Sequence, residues 1–238
     1  MNQHFSGEEK IGSIVSVFPG ASHLFKEVQI DFCCGGDRSL LEAIRQKNRD
    51  EHEILRRLNE SFAEMKNKAE QGGTDWREEP IADLIDYIVN HHHAYLRKEL
   101  PLLSEFITKV LRVHGGDHIE LSLLHKRFHQ MKIELDQHLI AEEEALFPLL
   151  KQYASRPVPE KHEQVIKSLR ELETDHSAVG YYLREMRTIT NGYALPPEAC
   201  RTYTVAFHKL VELESDLFQH IHLENNILFP RIENQEVR

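Results

Sequence analysis

The sequence lacks long hydrophobic runs and clusters of basic residues, and each absence excludes a class of protein. No apolar stretch in its 238 residues approaches the roughly 20 residues that a membrane-spanning helix needs. The formal net charge is -10, because 39 Asp and Glu outnumber 29 Lys and Arg. An acidic chain repels phosphate groups, so we expect neither nucleic acid nor a membrane as a partner.

Cysteine is also scarce. The three residues are Cys33, Cys34 and Cys200, and an odd number with two adjacent thiols does not suit a secreted disulfide framework. The N-terminal stretch MNQHFSGEEK contains no basic segment followed by an apolar core, so we expect no signal peptide. These features predict a protein of the reducing cytoplasm.

Strand patterns are missing, whereas helical patterns run through most of the chain. Apolar residues recur at three- and four-residue steps without convincing period-two alternation, which predicts an all-α fold. The segment from Lys68 to Pro80 contains Gly72, Gly73 and several charged residues, which is typical of a linker. We therefore predict a small N-terminal helical domain over residues 1–67, a linker over 68–80 and a second domain over 81–238.

The second domain is predicted to contain four long helices with short connections. Glycine and proline mark the helix ends, and proline is well accepted in the first turn of a helix. Four amphipathic helices in this order predict an up-down-up-down bundle. The helices cover about residues 81–112, 118–153, 160–190 and 197–234, and Pro196-Pro197 opens the last of them.

The second half of this bundle repeats the first, and histidine marks the repeat. His138 to Pro148 and His220 to Pro230 both read H-x-x-x-E-x-x-x-L-F-P, 82 residues apart. Each copy follows a helix with histidine on or near its apolar face, at His91 to His93 and at His176. The chain has 16 histidines, so the repeat predicts a helical hairpin used twice and indicates bound metal.

Both histidine–glutamate pairs of the repeat stand where their helices otherwise carry apolar residues. A buried carboxylate without a partner costs several kcal/mol, so it is protonated, ion-paired or bound to metal. A polar core network explains one such pair as well as metal does, but two equivalent pairs without Arg or Lys in the stripe favour metal. The same spacing at His208 and Glu212 falls on the opposite face, where a surface pair explains it. The candidate pairs are His138 with Glu142 and His220 with Glu224.

Further candidate ligands lie on the other two helices. His176 stands at the centre of the apolar stripe of the third helix. In the first helix the stripe points most directly at His92, with His91 and His93 on either side, so periodicity alone favours His92. Imidazole with carboxylate suits iron, zinc or manganese, and open coordination positions suit a redox or gas-binding centre.

The whole chain resembles the RIC (repair of iron centres) family of di-iron proteins, and its C-terminal part resembles haemerythrin-like bundles. The resemblance rests on the repeated motif, on IDFCCGG at Ile30 to Gly36 and on the EAC of Glu198 to Cys200, and it covers nearly all of the chain. It implies two non-haem, carboxylate-bridged iron ions per chain. The ligands that it implies are His93, His138, Glu142, His176, His220 and Glu224.

The resemblance and the periodicity differ on the first ligand. In the family this histidine stands four residues before an arginine and eight before a proline, as His93 does with Arg97 and Pro101. The family register therefore implies His93, and His92 stays the alternative.

The resemblance also implies a function. The family is implicated in restoring iron–sulfur clusters damaged by oxidative or nitrosative stress. We therefore expect an iron donor, with damaged iron–sulfur proteins as partners, rather than a turnover enzyme. Two alternatives stay open: a nitric oxide or peroxide reductase, and a sensor or carrier of oxygen or nitric oxide. A homodimer is a further expectation.

The adjacent thiols of Cys33 and Cys34 are candidates for a redox switch, for transfer of iron or sulfur, or for docking of a partner. The alternative is a pair of small buried side chains beside a glycine turn. A helix N-terminus directly after Gly35, Gly36 and Asp37 would lower a thiol pKa. Cys200 is expected to pack near the start of its helix, without a role.

Overall fold

The computed structural model describes residues 4–68 and 74–235, and of residues 65–68 the backbone alone. Within these ranges the chain is helical and forms no strand, apart from an isolated bridge between Lys10 and Ser39. The predicted all-α fold is confirmed. Residues 69–73, which belong to the predicted linker, lie outside the described residues. None of the described helices is long and apolar enough to span a membrane.

The chain divides into two compact units, and the division falls inside the last long helix. One unit contains the residues up to Leu84 together with Ile221–Asn234, and the other contains Ile85–His220. The domain boundaries predicted from the linker composition stay a prediction.

The first unit contains short helices and an aromatic cluster. The ring centroid of Phe62 lies 4.8 Å from that of Phe5 and 5.4 Å from that of Phe18. Ser39 begins α3, because its side chain accepts a hydrogen bond from the backbone amide of Glu42 and so satisfies a free helix amide. The N-terminal helices are α1 (Ile11–Val17), α2 (Ala21–Glu27), α3 (Leu40–Gln46) and α4 (Glu51–Lys68).

Two glycines of the first unit permit a close approach of Asn226. A Cβ atom at Gly12 would lie 2.0 Å from Asn226 Oδ1, and one at Gly36 would lie 2.4 Å from it. The Asn226 side-chain amide donates hydrogen bonds to the carbonyl oxygens of Phe32 and Cys33, both at 3.3 Å. Asn226 therefore holds the backbone of the loop that carries the adjacent cysteines.

The four long helical segments predicted from periodicity are present, but three of them contain a π-helical stretch. The first segment consists of α5 (Ile81–Tyr87), the π-helical stretch Ile88–His93 and α6 (Ala94–His114), and the second consists of α7 (Glu120–Ala141), the π-helical stretch Glu142–Leu146 and α8 (Phe147–Ser155). The third segment is the single helix α9 (Pro159–Ile189). The fourth consists of α10 (Arg201–Leu223), the π-helical stretch Glu224–Leu228 and α11 (Phe229–Glu233). Proline opens α9, as its fixed φ angle favours.

The start of the last helix differs from the prediction. Pro196-Pro197 does not open α10, which begins at Arg201. The residues between form a turn instead, in which the Ala199 amide donates to the Pro196 carbonyl oxygen at 3.0 Å. Pro196 and Pro197 therefore belong to the connection before α10, and Cys200 is the residue directly before this helix.

Packing within the second unit is dominated by α7, which contacts both α6 and α9. The apolar stripes expected from the sequence form this core. Their members are fully or almost fully buried and include Leu100, Leu103, Leu124, Phe128, Met131, Leu169, Val179 and Leu183.

Replacing Gly36 with alanine is expected to lower the free energy of unfolding by about 1–3 kcal/mol, the usual cost of overpacking. The added Cβ would meet Asn226 Oδ1 at 2.4 Å and the Phe32 carbonyl oxygen at 2.8 Å, and the carbonyl cannot rotate away. Urea denaturation measures the effect. The control is Gly116→Ala, whose Cβ would meet nothing within 4 Å. Equal midpoints for the two variants would contradict the close packing.

Candidate metal centre

Four buried histidines of the second unit form two facing pairs. The Nε2 atoms of His93 and His220 lie 3.2 Å apart, and those of His138 and His176 lie 3.1 Å apart. All four side chains are at most 5% exposed. Each pair joins two helices, so the tertiary fold brings together histidines that are far apart in the sequence.

Glu142 lies between the two histidine pairs. Its Oε2 atom is 3.3 Å from His93 Nε2, and its Oε1 atom is 3.2 Å from His138 Nε2. The side chain is completely buried. One carboxylate thus directs a separate oxygen atom to each pair, which is the arrangement of a bridging ligand.

The spacing of these atoms fits two metal ions. The ligand atoms of His93, Glu142 and His220 lie within 4.8 Å of one another, and so do those of His138, Glu142 and His176. Metal–nitrogen and metal–oxygen bonds of about 2.0–2.2 Å place neighbouring ligand atoms roughly 3 Å apart, close to the distances observed here. Imidazole and carboxylate are ligands that iron, zinc and manganese accept, so the donor set fits a two-metal centre.

Glu224 occupies the same local position as Glu142. Each begins a π-helical segment four residues after a buried histidine, His220 or His138, and each is completely buried. Residues four apart share a helix face, so Glu224 projects from the same side of its helix as His220. Glu224 itself belongs to the first compact unit.

A π-helical turn explains why periodicity pointed to His92. In the segment Ile88–His93 the helical hydrogen bonds span five residues and not four, so the turn holds an additional residue and displaces the side chains at its end. As a result, His93 faces Glu142 and His220, whereas His92 Nδ1 lies 2.9 Å from Asp216 Oδ1. The geometry favours His93, as the family register implied, and an α-helical period could not detect the displacement.

Two carboxylates behind the histidines were not found by sequence reasoning. Glu143 Oε1 lies 2.7 Å from His93 Nδ1, and the Arg97 guanidinium lies 2.6 Å from Glu143 Oε2. Burial raises the pKa of Glu143, but its hydrogen bonds with Arg97 and His93 outweigh burial and hold that pKa below its ordinary value. On the other side Asp175 Oδ2 lies 3.5 Å from His138 Nδ1. Nothing in the apolar pattern marks these residues, since both carboxylates lie off the stripes.

The adjacent cysteines lie in a turn of the first unit and not at a helix N-terminus. The Asp31 carboxylate accepts hydrogen bonds from the backbone amides of Cys33, Cys34 and Gly35 and from the Cys33 thiol, which is 3.2 Å away. The sulfur atoms are 3.7 Å apart, and neither cysteine forms a disulfide. Ligand atoms of Asp31, Cys33 and Cys34 lie within 4.8 Å of one another, a spacing that could hold a metal ion.

The expected lowering of a thiol pKa at these cysteines is not observed for Cys33. Burial, followed by the neighbouring Cys34 and Asp31, raises the pKa of the Cys33 thiol well above its ordinary value. The reason is that the next helix, α3, begins only at Leu40, so no helix dipole acts at Cys33. The Cys33 thiol is therefore protonated at neutral pH.

Cys200 is exposed, which contradicts the expectation that it packs at the start of its helix. Its sulfur lies 3.2 Å from Nε2 of His114, a residue without an assigned role in the sequence pattern. Hydrogen bonds from the backbone at Tyr203, then from His114, lower the pKa of the Cys200 thiol to about 7. The thiol with the lowered pKa is thus that of Cys200, at the start of α10, and not that of Cys33.

The rate of alkylation should therefore differ between Cys200 and Cys33. In native protein at pH 7 we expect iodoacetamide to modify Cys200 much faster than Cys33, with a rate that rises through an apparent pKa of about 7. His114→Ala should move this midpoint upward, and His129→Ala, which removes a histidine elsewhere on the surface, should not. Peptide mass spectrometry at several pH values measures each rate. An unchanged midpoint in His114→Ala would exclude the histidine as a cause.

Comparison with known proteins accounts for both parts of the chain. Residues 84–232 match the family model of the Hemerythrin HHE cation binding domain. Residues 7–61 match the ScdA_N model, a Domain of Unknown function (DUF542). The first match covers more than half of the sequence.

Several curated proteins are similar to the chain over nearly their whole lengths. The "Probable iron-sulfur cluster repair protein" of Haemophilus influenzae is 34% identical, over 96% of this chain and 98% of the relative. The "Iron-sulfur cluster repair protein YtfE" of Escherichia coli O157:H7 is 36% identical, over 94% and 96%. The "Iron-sulfur cluster repair protein ScdA" of Staphylococcus haemolyticus is 33% identical, over 94% and 97%. The chain therefore belongs to the family of haemerythrin-domain proteins that includes YtfE and ScdA, as both the paired histidines of its bundle and its CCGG loop indicated.

Proposed function

We propose that this protein holds two iron ions and donates iron to iron–sulfur clusters damaged by oxidative or nitrosative stress. The observation that carries the proposal is the buried Glu142 carboxylate, which lies within 3.3 Å of a histidine from each facing pair. The curated relatives bear the name of iron–sulfur cluster repair proteins, which supports the same function.

The proposed ligands divide into two sets that share a carboxylate. His93 and His220 would hold one ion, His138 and His176 the other, and Glu142 would bridge them. Glu224 is proposed as a second bridge, because it repeats the burial and the four-residue spacing of Glu142 after a buried histidine. When bound, iron supplies a centre that changes between ferrous and ferric states.

The chemistry of the ligands suits release as well as binding. None of the six side chains is a thiolate, which holds iron more tightly than imidazole does. Each pair of Nε2 atoms lies at hydrogen-bond distance, so one neutral imidazole can donate a hydrogen bond to the other without iron. Each facing pair can therefore form a hydrogen bond when iron is absent and bind the ion when iron is present. Burial keeps water away from the histidines in both states.

Damaged iron–sulfur proteins are the proposed partners, and Cys33 and Cys34 are proposed to act in transfer or as a redox pair. Neither cysteine forms a disulfide, and the Asp31 carboxylate accepts hydrogen bonds from the Cys33 thiol and from the backbone amide of Cys34, which supports a role with metal or electrons. We propose the reducing cytoplasm as its location, because three cysteines, two of them adjacent, do not suit a secreted disulfide framework. A homodimer stays a prediction, which light scattering of the purified protein checks.

Removing the bridging charge should empty the centre. Protein purified without oxygen is expected to contain about two iron ions per chain, and the double variant Glu142→Gln, Glu224→Gln is expected to lose nearly all of them. Glutamine keeps the shape of the side chain but lacks the negative charge that offsets the cations. Elemental analysis measures the iron. The control is Glu212→Ala, which changes the exposed H-x-x-x-E pair and should retain full iron.

A cluster-repair assay, together with measurements of gas consumption and gas binding, distinguishes the iron donor from a reductase and from a sensor or carrier. The iron-loaded protein should reactivate a [4Fe–4S] enzyme damaged by nitric oxide, and Cys33→Ala, Cys34→Ala should reduce the rate if the thiols take part. Sustained consumption of nitric oxide or peroxide with an electron donor would instead identify a reductase. Reversible gas binding without consumption would identify a sensor or carrier. An enzyme that recovers with free ferrous iron but not with the loaded protein would refute donation.

A further inference from the structure

One histidine of each facing pair, His93 and His138, has a carboxylate near its Nδ1 atom, and the two carboxylates differ in distance and exposure. His93 Nδ1 lies 2.7 Å from Glu143 Oε1, within the range of a strong hydrogen bond to a carboxylate. Because a carboxylate only accepts, the Nδ1 atom carries the proton and Nε2 is left as the ligating atom. Glu143 is held in turn by the Arg97 guanidinium at 2.6 Å.

Packing fixes the same ring further. The His93 ring is completely buried and stacks on the ring of Phe147, with centroids 5.6 Å apart and an interplanar angle of 23°. A ring that is held at Nδ1 and on its face cannot rotate to withdraw Nε2 from Glu142. His93 is therefore oriented for metal before any ion binds.

His138, in the other half, has a weaker support. The Asp175 carboxylate lies 3.5 Å from its Nδ1 atom, which is the outer limit of a hydrogen bond. The Asp175 side chain is 61% exposed, whereas that of Glu143 is 22% exposed. Water competes for an exposed carboxylate, so Asp175 restrains the His138 ring less than Glu143 restrains His93.

From this asymmetry we propose that Glu143 and Arg97 are positioning residues that make the His93–His220 position retentive, and that the His138–His176 position releases its iron first. Carboxylates that orient a ligating histidine change metal affinity by about 10- to 100-fold when removed. The proposal rests on the proposed function and deepens it: the ion between His138 and His176 is the one donated to a client, while the other stays with the protein.

The order of release can be measured without a client protein. Iron-loaded protein is mixed anaerobically with an excess of a ferrous chelator, and complex formation is followed by absorbance. We expect two phases of about equal amplitude. Glu143→Gln should accelerate the slow phase by about 10- to 100-fold and leave the fast phase unchanged. Glu144→Gln removes the same charge from the neighbouring exposed residue and should change neither phase.

Single-position variants identify the phases. His176→Ala should retain about one iron per chain and show the slow phase alone, and His220→Ala should lose the slow phase. Mössbauer spectra of the protein loaded with one equivalent of ⁵⁷Fe provide a second readout: His176→Ala should give the native spectrum, because the retentive position fills first. Arg97→Lys should preserve the slow phase better than Arg97→Ala, since lysine can still hold Glu143. A merely structural role of Glu143 would shift unfolding without changing the spectrum.

The outcomes distinguish this inference from the function on which it rests. A single release phase, or a slow phase that Glu143→Gln does not alter, overturns the inference even when the loaded protein repairs clusters. The inference is also overturned if His176→Ala loses the slow phase. Protein that binds no iron overturns both. Two phases with the expected variants, in a protein that fails to repair clusters, would support the asymmetry and refute donation.

Discussion

The buried carboxylate of Glu142 is the constraint on which the second unit depends. An ionised carboxylate in an apolar core costs several kcal/mol unless polar or charged groups surround it. Here its oxygens lie 3.3 and 3.2 Å from His93 and His138, residues on two different helical segments. The helical segments that carry these three residues must therefore keep one axial position relative to each other. The apolar side chains on either side of the carboxylate favour the same axial position. The centre is thus part of the packing of the bundle.

The π-helical turns are local changes in helix geometry that orient the histidine and glutamate side chains of the cluster. His93 ends one such segment, and Glu142 and Glu224 each begin another. A π turn is rare, and it is frequently found at functional sites. One additional residue rotates the next side chain without breaking the helix. The apolar stripe can then continue on the same face after the polar residues, so the core remains closed.

The local environments of Cys33 and Cys200 shift the pKa values of their thiols in opposite directions. Cys33 is buried and donates to the Asp31 carboxylate, and both effects oppose ionisation. Cys200 lies in water at the start of a long helix, where backbone amides and His114 stabilise its negative charge. Environment, not residue type, therefore decides which thiol is nucleophilic at neutral pH.

The sequence by itself determined the helical fold and pointed to the residues that we propose as metal ligands, because helical periodicity and motif spacing are local patterns. Apolar period, the repeated H-x-x-x-E and the family resemblance marked Glu142 and Glu224 as buried carboxylates, and burial is observed for both. The choice between His92 and His93 needed the π turn, which periodicity does not encode. Glu143 and Cys200 acquire their properties from residues distant in the chain, Arg97 and His114, and only the tertiary structure brings such partners together. Spacing fixes which face of a helix a side chain occupies, but its proton affinity depends on the neighbours across that face.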